Sequence, residues 1–165
     1  MKRDIARTTL LISVTALCLG VVPVQAAEHC SNAKAAGEWG YVYTGTLFLS
    51  PTTPIPVAAV GRYTLDKEGN ISGTQTRSIA LGETAQEVIK GTSTVNADCT
   101  GTATISVYDP KTGNLLRTAV LATVYVNSQR EVRYLFESLV VFSGTTSTSI
   151  RVVTTADAKR VFSRD

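Results

Sequence analysis

The sequence predicts an all-β protein, an eight-stranded antiparallel up-and-down β-barrel behind an N-terminal signal peptide. Three observations lead there. Val, Ile, Thr and Tyr dominate the segments after residue 36, and these side chains suit a pleated, half-buried surface. Clusters of Asp, Asn, Gly, Ser and Pro interrupt the segments at hairpin intervals. No segment after the leader repeats apolar residues at i, i+3, i+4 and i+7 through three turns, which excludes helix as the main element. Strands joined by short turns are antiparallel neighbours. An open meander leaves two unpaired edges, and closure removes them.

The chain opens on Lys2, Arg3 and Arg7, then an apolar run from Leu10 to Val22, then Val24-Gln25-Ala26. Basic, apolar and small-x-small in that order is a secretory signal, assigned to residues 1–26. The apolar run is short for a membrane anchor, so no membrane insertion is expected once the leader is cut. With Asp4, the leader carries most of the formal net charge of +3. The exported part is nearly neutral, which argues against nucleic acid as a partner. Residues 27–36 read as an N-terminal plug, 37–158 as the barrel and 159–165 as a C-terminal tail.

The expected strands span 39–49, 57–66, 71–80, 87–96, 101–109, 115–127, 132–142 and 149–156. Asp66-Lys67-Glu68-Gly69-Asn70 offers Asp, Gly and Asn for a tight hairpin. Asp109-Pro110-Lys111-Thr112-Gly113-Asn114 does the same, with Pro110 pre-set for a turn. Asn127 to Glu131 and Ser143 to Ser147 are short polar turns. Pro51, Pro54 and Pro56 predict a stiff loop between the first two strands. Residues 82–86 are the one place left for a helical turn.

Alternation assigns faces. Trp39, Tyr41, Tyr43, Leu47 and Leu49 share one side of the first strand. Val132, Tyr134, Phe136, Ser138, Val140 and Phe142 share one side of the seventh. On the sixth, Leu116, Thr118, Val120, Ala122, Val124 and Val126 are expected inside, with Arg117 and Thr123 outside. Tyr41, Tyr43, Tyr134, Phe136 and Phe142 are therefore the candidate ligand-lining residues, and Trp39 the floor of the barrel. Leu135, Leu139 and Val141 fall on the outer face. Continued by Val153, they form the expected homodimer surface.

Removing the leader takes Cys18 with it and leaves Cys30 and Cys99, an even pair in an exported chain. That arithmetic predicts a disulfide. Strand parity agrees. Each hairpin switches the chain to the other end of the barrel, so the turn holding Cys99 returns to the end where the first strand starts, beside Cys30. The bridge would pin the plug across the floor.

Gly37-x-Trp39 at the first strand, the eight-strand meander and the hairpin running from Asp66 to Thr74 together resemble the calycin group of lipocalins and avidins. Gly69–Thr74 and Asp98–Thr102 are also similar to segments of secreted bacterial proteins. The resemblance implies a small closed barrel with a ligand-holding interior. It also implies an Arg near the end of the last strand lying over the Trp, a place Arg160 can take. The Thr-Asp-Tyr motif of lipocalins is replaced by Asn127-Ser128-Gln129-Arg130, and Trp39 is the single Trp, against the several that line a biotin site.

Function is read from what could sit inside. The expectation is a small apolar ligand. The alternatives are a filled barrel serving as a structural or interaction module, and a barrel cyclase or isomerase of the allene oxide cyclase type. No nucleophile motif or phosphate-binding Gly-rich loop occurs, so no catalytic residue is assigned. With one His and no Cys-x-x-Cys, neither a metal site nor a cofactor is expected. Arg77, Glu87 and Glu137 are candidate inward polar anchors, and Arg117 and Arg151 candidate rim cations. Asn70-Ile71-Ser72 is a formal glycosylation sequon, and His29 a solvated residue of the plug. Protein recovered from the exported fraction is expected to begin at Ala27. Intact-mass measurement checks this, and a mass retaining the leader would refute the cleavage.

Overall fold

The computed structural model describes residues 29–80 and 82–161. The signal segment therefore lies outside the described residues. One short helix, α1 (Asn32–Ala35), precedes nine strands: β1 (Gly37–Ser50), β2 (Thr53–Leu65), β3 (Asn70–Ile79), β4 (Glu83–Val95), β5 (Thr100–Tyr108), β6 (Leu115–Val126), β7 (Glu131–Ser143), β8 (Thr146–Ser149) and β9 (Arg151–Arg160). Consecutive strands from β1 to β7 pair antiparallel. β9 lies between β7 and β1 and closes the barrel. β9 takes the place of the eighth expected strand, and the short β8 begins inside the expected polar turn of 143–147. β8 pairs with the far half of β7, and Ile150 between β8 and β9 donates its N–H to Leu139 O at 2.8 Å.

The hairpins form where the sequence places Asp and Gly. Asp66 Oδ1 accepts from Asn70 N at 2.7 Å, with Gly69 at φ 96°. Asp109 Oδ1 accepts from Lys111 N and Thr112 N at 2.8 and 2.9 Å, with Gly113 at φ 72°. The carboxylate of each Asp stands in for a backbone acceptor.

Two expected loops are strand instead. Pro54 and Pro56 lie inside β2, opposite Phe48 and Thr46 of β1. Ala80 N reaches Pro56 O at 3.0 Å, so the proline nitrogens face the side where β3 ends. There the only ladder bond forfeited is the reciprocal one from residue 56 to Ala80, at the very end of the pairing. Between β3 and β4 the chain turns at Gly82, φ 87°, and β4 starts at Glu83, leaving no helical turn. At the other end of the barrel β9 runs to Arg160, taking in two residues of the expected tail.

Two faces differ from the alternation. On β6 the inward residues are Arg117, Ala119, Leu121, Thr123 and Tyr125, while Val124 and Val126 are exposed. Both faces of this strand carry apolar residues, so alternation has no sign to read. The ring of Tyr125 under Trp39 decides the face. On β7, Val120 opposes Ser138 but Leu121 opposes Phe136. Glu137 is the extra residue of a bulge, and a bulge inverts the parity of the residues that directly follow it. Leu139 turns in and is 5% exposed. The outer patch expected from Leu135, Leu139, Val141 and Val153 therefore loses Leu139 to the core. Leu135 and Val153 remain outside at 51% and 65% exposure. On β1, Leu49 is the extra residue of a bulge near the end of the strand and is exposed.

The floor is closed as a unit. Trp39 is fully buried, stacked on Tyr63 at 6.1 Å and edge-on to Tyr125 at 6.2 Å between ring centroids. Its Nε1 donates to Ala35 O of α1 at 3.0 Å. The Arg160 guanidinium lies 5.5 Å from the indole and donates to Lys34 O and to Ala36 O. Cys30 and Cys99 are bonded, with Cα atoms 5.0 Å apart. Asn32 adds two contacts to the end of β4, accepting from Val95 N at 2.9 Å and donating to Ser93 O at 3.1 Å. Buried Gln129 pairs with both backbone groups of Ser31. It does so from a turn in which Asn127, Ser128 and Gln129 all have positive φ.

Opening the Cys30–Cys99 bridge frees a loop of 69 residues of sequence separation. The loop-entropy argument puts the loss at about 4 kcal/mol. Urea unfolding of the oxidised and the reduced, alkylated protein checks this, and coincident midpoints would count against a pinned plug.

Candidate functional site

The inside of the barrel above the floor holds two adjacent spaces. The inner cavity, about 70 Å³, lies among Tyr41, Tyr63, Tyr134, Ile89, Leu121 and Ala156. The outer chamber, about 240 Å³, lies toward the rim among Leu47, Val57, Ile79, Phe142, Val152 and Thr154. Tyr43, Arg117, Phe136 and Leu139 line both and mark the level where they meet. Of the five residues expected to line a ligand, Tyr41, Tyr43, Tyr134 and Phe136 border the inner cavity. Phe142 borders the outer chamber. Trp39 lies beneath both, as the floor.

A buried ion cluster sits beside the meeting level. Glu87 of β4, 1% exposed, is opposite Gln75 of β3. Its carboxylate accepts both terminal nitrogens of Arg117 from β6, at 2.8 Å for Nη1 and by a short bond from Nη2. Arg77 Nε donates to it at 2.9 Å and Gln75 Nε2 at 2.6 Å. Gln75 Oε1 in turn accepts from Tyr41 Oη at 2.6 Å. Burial by itself pushes the Glu87 carboxyl up, but the bonds and charge of Arg117, followed by Gln75 and Arg77, hold it down at about 2. Among these charged side chains the cluster sums to one surplus positive charge.

The tyrosines form a second, neutral network. Tyr63 Oη and Tyr134 Oη are 2.6 Å apart, so one donates and the other keeps its proton free. Burial raises the phenols of Tyr41, Tyr43, Tyr63 and Tyr134, and all four stay protonated through the physiological range. An ionised carboxylate holding four hydrogen bonds has no lone pair positioned as a base. The cluster is built to hold charge in place, with neutral phenols as donors around it.

The sequence named Arg77, Glu87 and Glu137 as inward anchors, and the first two are inside. Glu137 is the bulge residue and is exposed, as is Arg151. Arg117, expected outside, is the cation with the most bonds to Glu87. Gln75 carries no sequence signal beyond being a lone Gln on a Ser/Thr-rich strand, and the register sets it opposite Glu87. His29 is exposed beside Cys30.

Neither a family model nor a curated protein matches the chain. Among solved structures, it is similar to Rv2717c from M. tuberculosis at 15% identity and a TM-score of 0.38, over 79% of this chain and 94% of that one. It is also similar to a porin-like protein from Bacteroides uniformis at 12% identity and a TM-score of 0.19, over 74% of this chain and 56% of that one. At these values the likeness assigns neither ligand nor activity.

Replacing Glu87→Gln leaves Arg77 and Arg117 inside the barrel without their counter-charge. Breaking a buried pair by removing one partner costs about 3–5 kcal/mol, and urea unfolding at neutral pH measures it. The folded-state value of Glu87 is depressed. Its contribution is therefore full above the ordinary carboxyl value of 4.5 and is lost as pH falls toward about 2. The gap between wild type and Glu87→Gln is expected to narrow through that acid window. A gap independent of pH would show that the cluster carries no such linkage.

Proposed function

We propose that the protein is an exported binding barrel that holds a small, largely apolar ligand. The observation that carries this reading is the interior space. A filled barrel serving only as a scaffold would close it with side chains, since protein interiors pack to crystal-like density. Here the outer chamber and the inner cavity together approach the low end of ligand pockets, about 300 Å³. Their walls are mostly aliphatic and aromatic with few polar groups, the usual make-up of a small-molecule site. The secretory leader and the disulfide support export. The floor, with Arg160 over Trp39 of Gly37-x-Trp39, supports grouping the chain with calycin-type barrels.

The test is binding of a neutral apolar probe, 1-aminoanthracene, followed by its fluorescence. Enhancement that saturates is expected for the wild type. Val152→Trp, placed on the chamber wall, is expected to weaken it about tenfold or more while circular dichroism stays unchanged. Equal binding by the two proteins would put the probe elsewhere on the surface and sink the reading.

A further inference from the structure

The geometry points to a ligand with a single anionic head, of the carboxylate class, seated against Arg77 with its apolar body filling the outer chamber. This rests on the binding reading above and specifies its ligand class.

The starting point is a charge imbalance. Two guanidinium groups and one carboxylate meet inside an apolar barrel. Arg117 commits both terminal nitrogens to Glu87. Arg77 commits Nε, whereas its Nη1 is buried and has no partner. Thr154 Oγ1 is likewise buried and without a partner. Arg77 and Thr154 line the same chamber. No carboxylate is among the described residues that line either space.

Each of these facts has a physical consequence. Buried charges in proteins are paired, because an uncompensated one in low dielectric is costly. A buried donor without an acceptor is costly too. A ligand with an anionic oxygen relieves both. One surplus charge matches a monoanion, and the guanidinium of Arg77 at the chamber wall is a donor set for one carboxylate group. A phosphate dianion would reverse the imbalance and bring more acceptor oxygens than the free donors can meet. A neutral acceptor such as an alcohol would take the hydrogen bond and leave the charge. The chamber's remaining walls, Leu47, Val57, Ile79 and Val152 among them, offer apolar surface, so the head must carry an apolar body.

The experiment compares head groups on the same tail. Decanoate, decanol and decylamine are titrated into the wild-type protein by calorimetry, with acetate as the tail-free anion. Decanoate is expected to bind about tenfold to a hundredfold more tightly than decanol, the range of one charge-assisted hydrogen bond. Decylamine and acetate are expected to bind far more weakly. Arg77→Gln is expected to abolish the preference for decanoate over decanol, while Arg77→Lys keeps part of it. The head-group comparison is made on the unmodified protein and stands even where a variant fails to fold. Equal binding of decanoate and decanol overturns the anionic head and leaves the apolar chamber in place. Acetate binding as tightly as decanoate overturns the amphipathic ligand in favour of a bare anion site. No binding by any of the four overturns this inference, and absence of 1-aminoanthracene binding in the same preparation overturns the chamber reading with it.

Discussion

The buried Trp39 is the point from which the rest of the molecule is registered. Its indole has two faces and one N–H, and each meets a different part of the chain. Tyr63 stacks on it from β2, Tyr125 meets it edge-on from β6, Arg160 covers it from β9, and α1 accepts its N–H. Four distant segments are thereby oriented by one side chain. The inward sense of β2 and β6 follows, because Tyr63 and Tyr125 reach the indole only if their strands face that way. Closure follows too, since Arg160 ends the last stave against the first.

The floor is also where the chain accepts local strain. Three consecutive residues without glycine's freedom, Asn127 to Gln129, hold positive φ, a region that costs roughly 1 kcal/mol or more for such residues. What they obtain is Gln129, whose side-chain amide pairs with the Ser31 backbone as a neighbouring strand would. Together with Asn32 and the disulfide, this turns a segment with a single four-residue helix into a fixed cap. A rigid floor leaves the rim end as the place where the interior opens.

Above the floor, polarity is arranged by depth. The tyrosines surround the inner cavity, the ion cluster sits beside the meeting level, and apolar side chains dominate the outer walls. Arg117 ties β6 to β4 through Glu87, and Arg77 and Gln75 tie in β3. β3 and β4 are neighbours, and β5 lies between β4 and β6, so the cluster bridges one strand and stiffens one wall of the barrel. The opposite wall, from β7, β9 and β1, contributes the rings of Tyr43 and Phe136 at 5.5 Å. A space bounded by a charged wall and an aromatic wall is suited to an amphipathic occupant.

Much of this was legible in the chain itself. Strand number and sense, hairpins headed by Asp66 and Asp109, the Cys30–Cys99 pairing and the floor position of Trp39 all rest on local chemistry or on counting turns, and both are sequence properties. What only the tertiary structure decided is which way several side chains face. Alternation assigns a face only when the two faces differ in polarity; β6 is apolar on both, so Arg117 was placed outside. A one-residue bulge leaves no signal in composition, yet Glu137 inverts the residues that directly follow it and carries Leu139 into the core. The prolines of β2 looked like loop residues because the sequence does not say where β3 stops. The ion cluster depends on all three levels at once: register sets Gln75 opposite Glu87, facing turns Arg117 inward, and burial makes their charges matter.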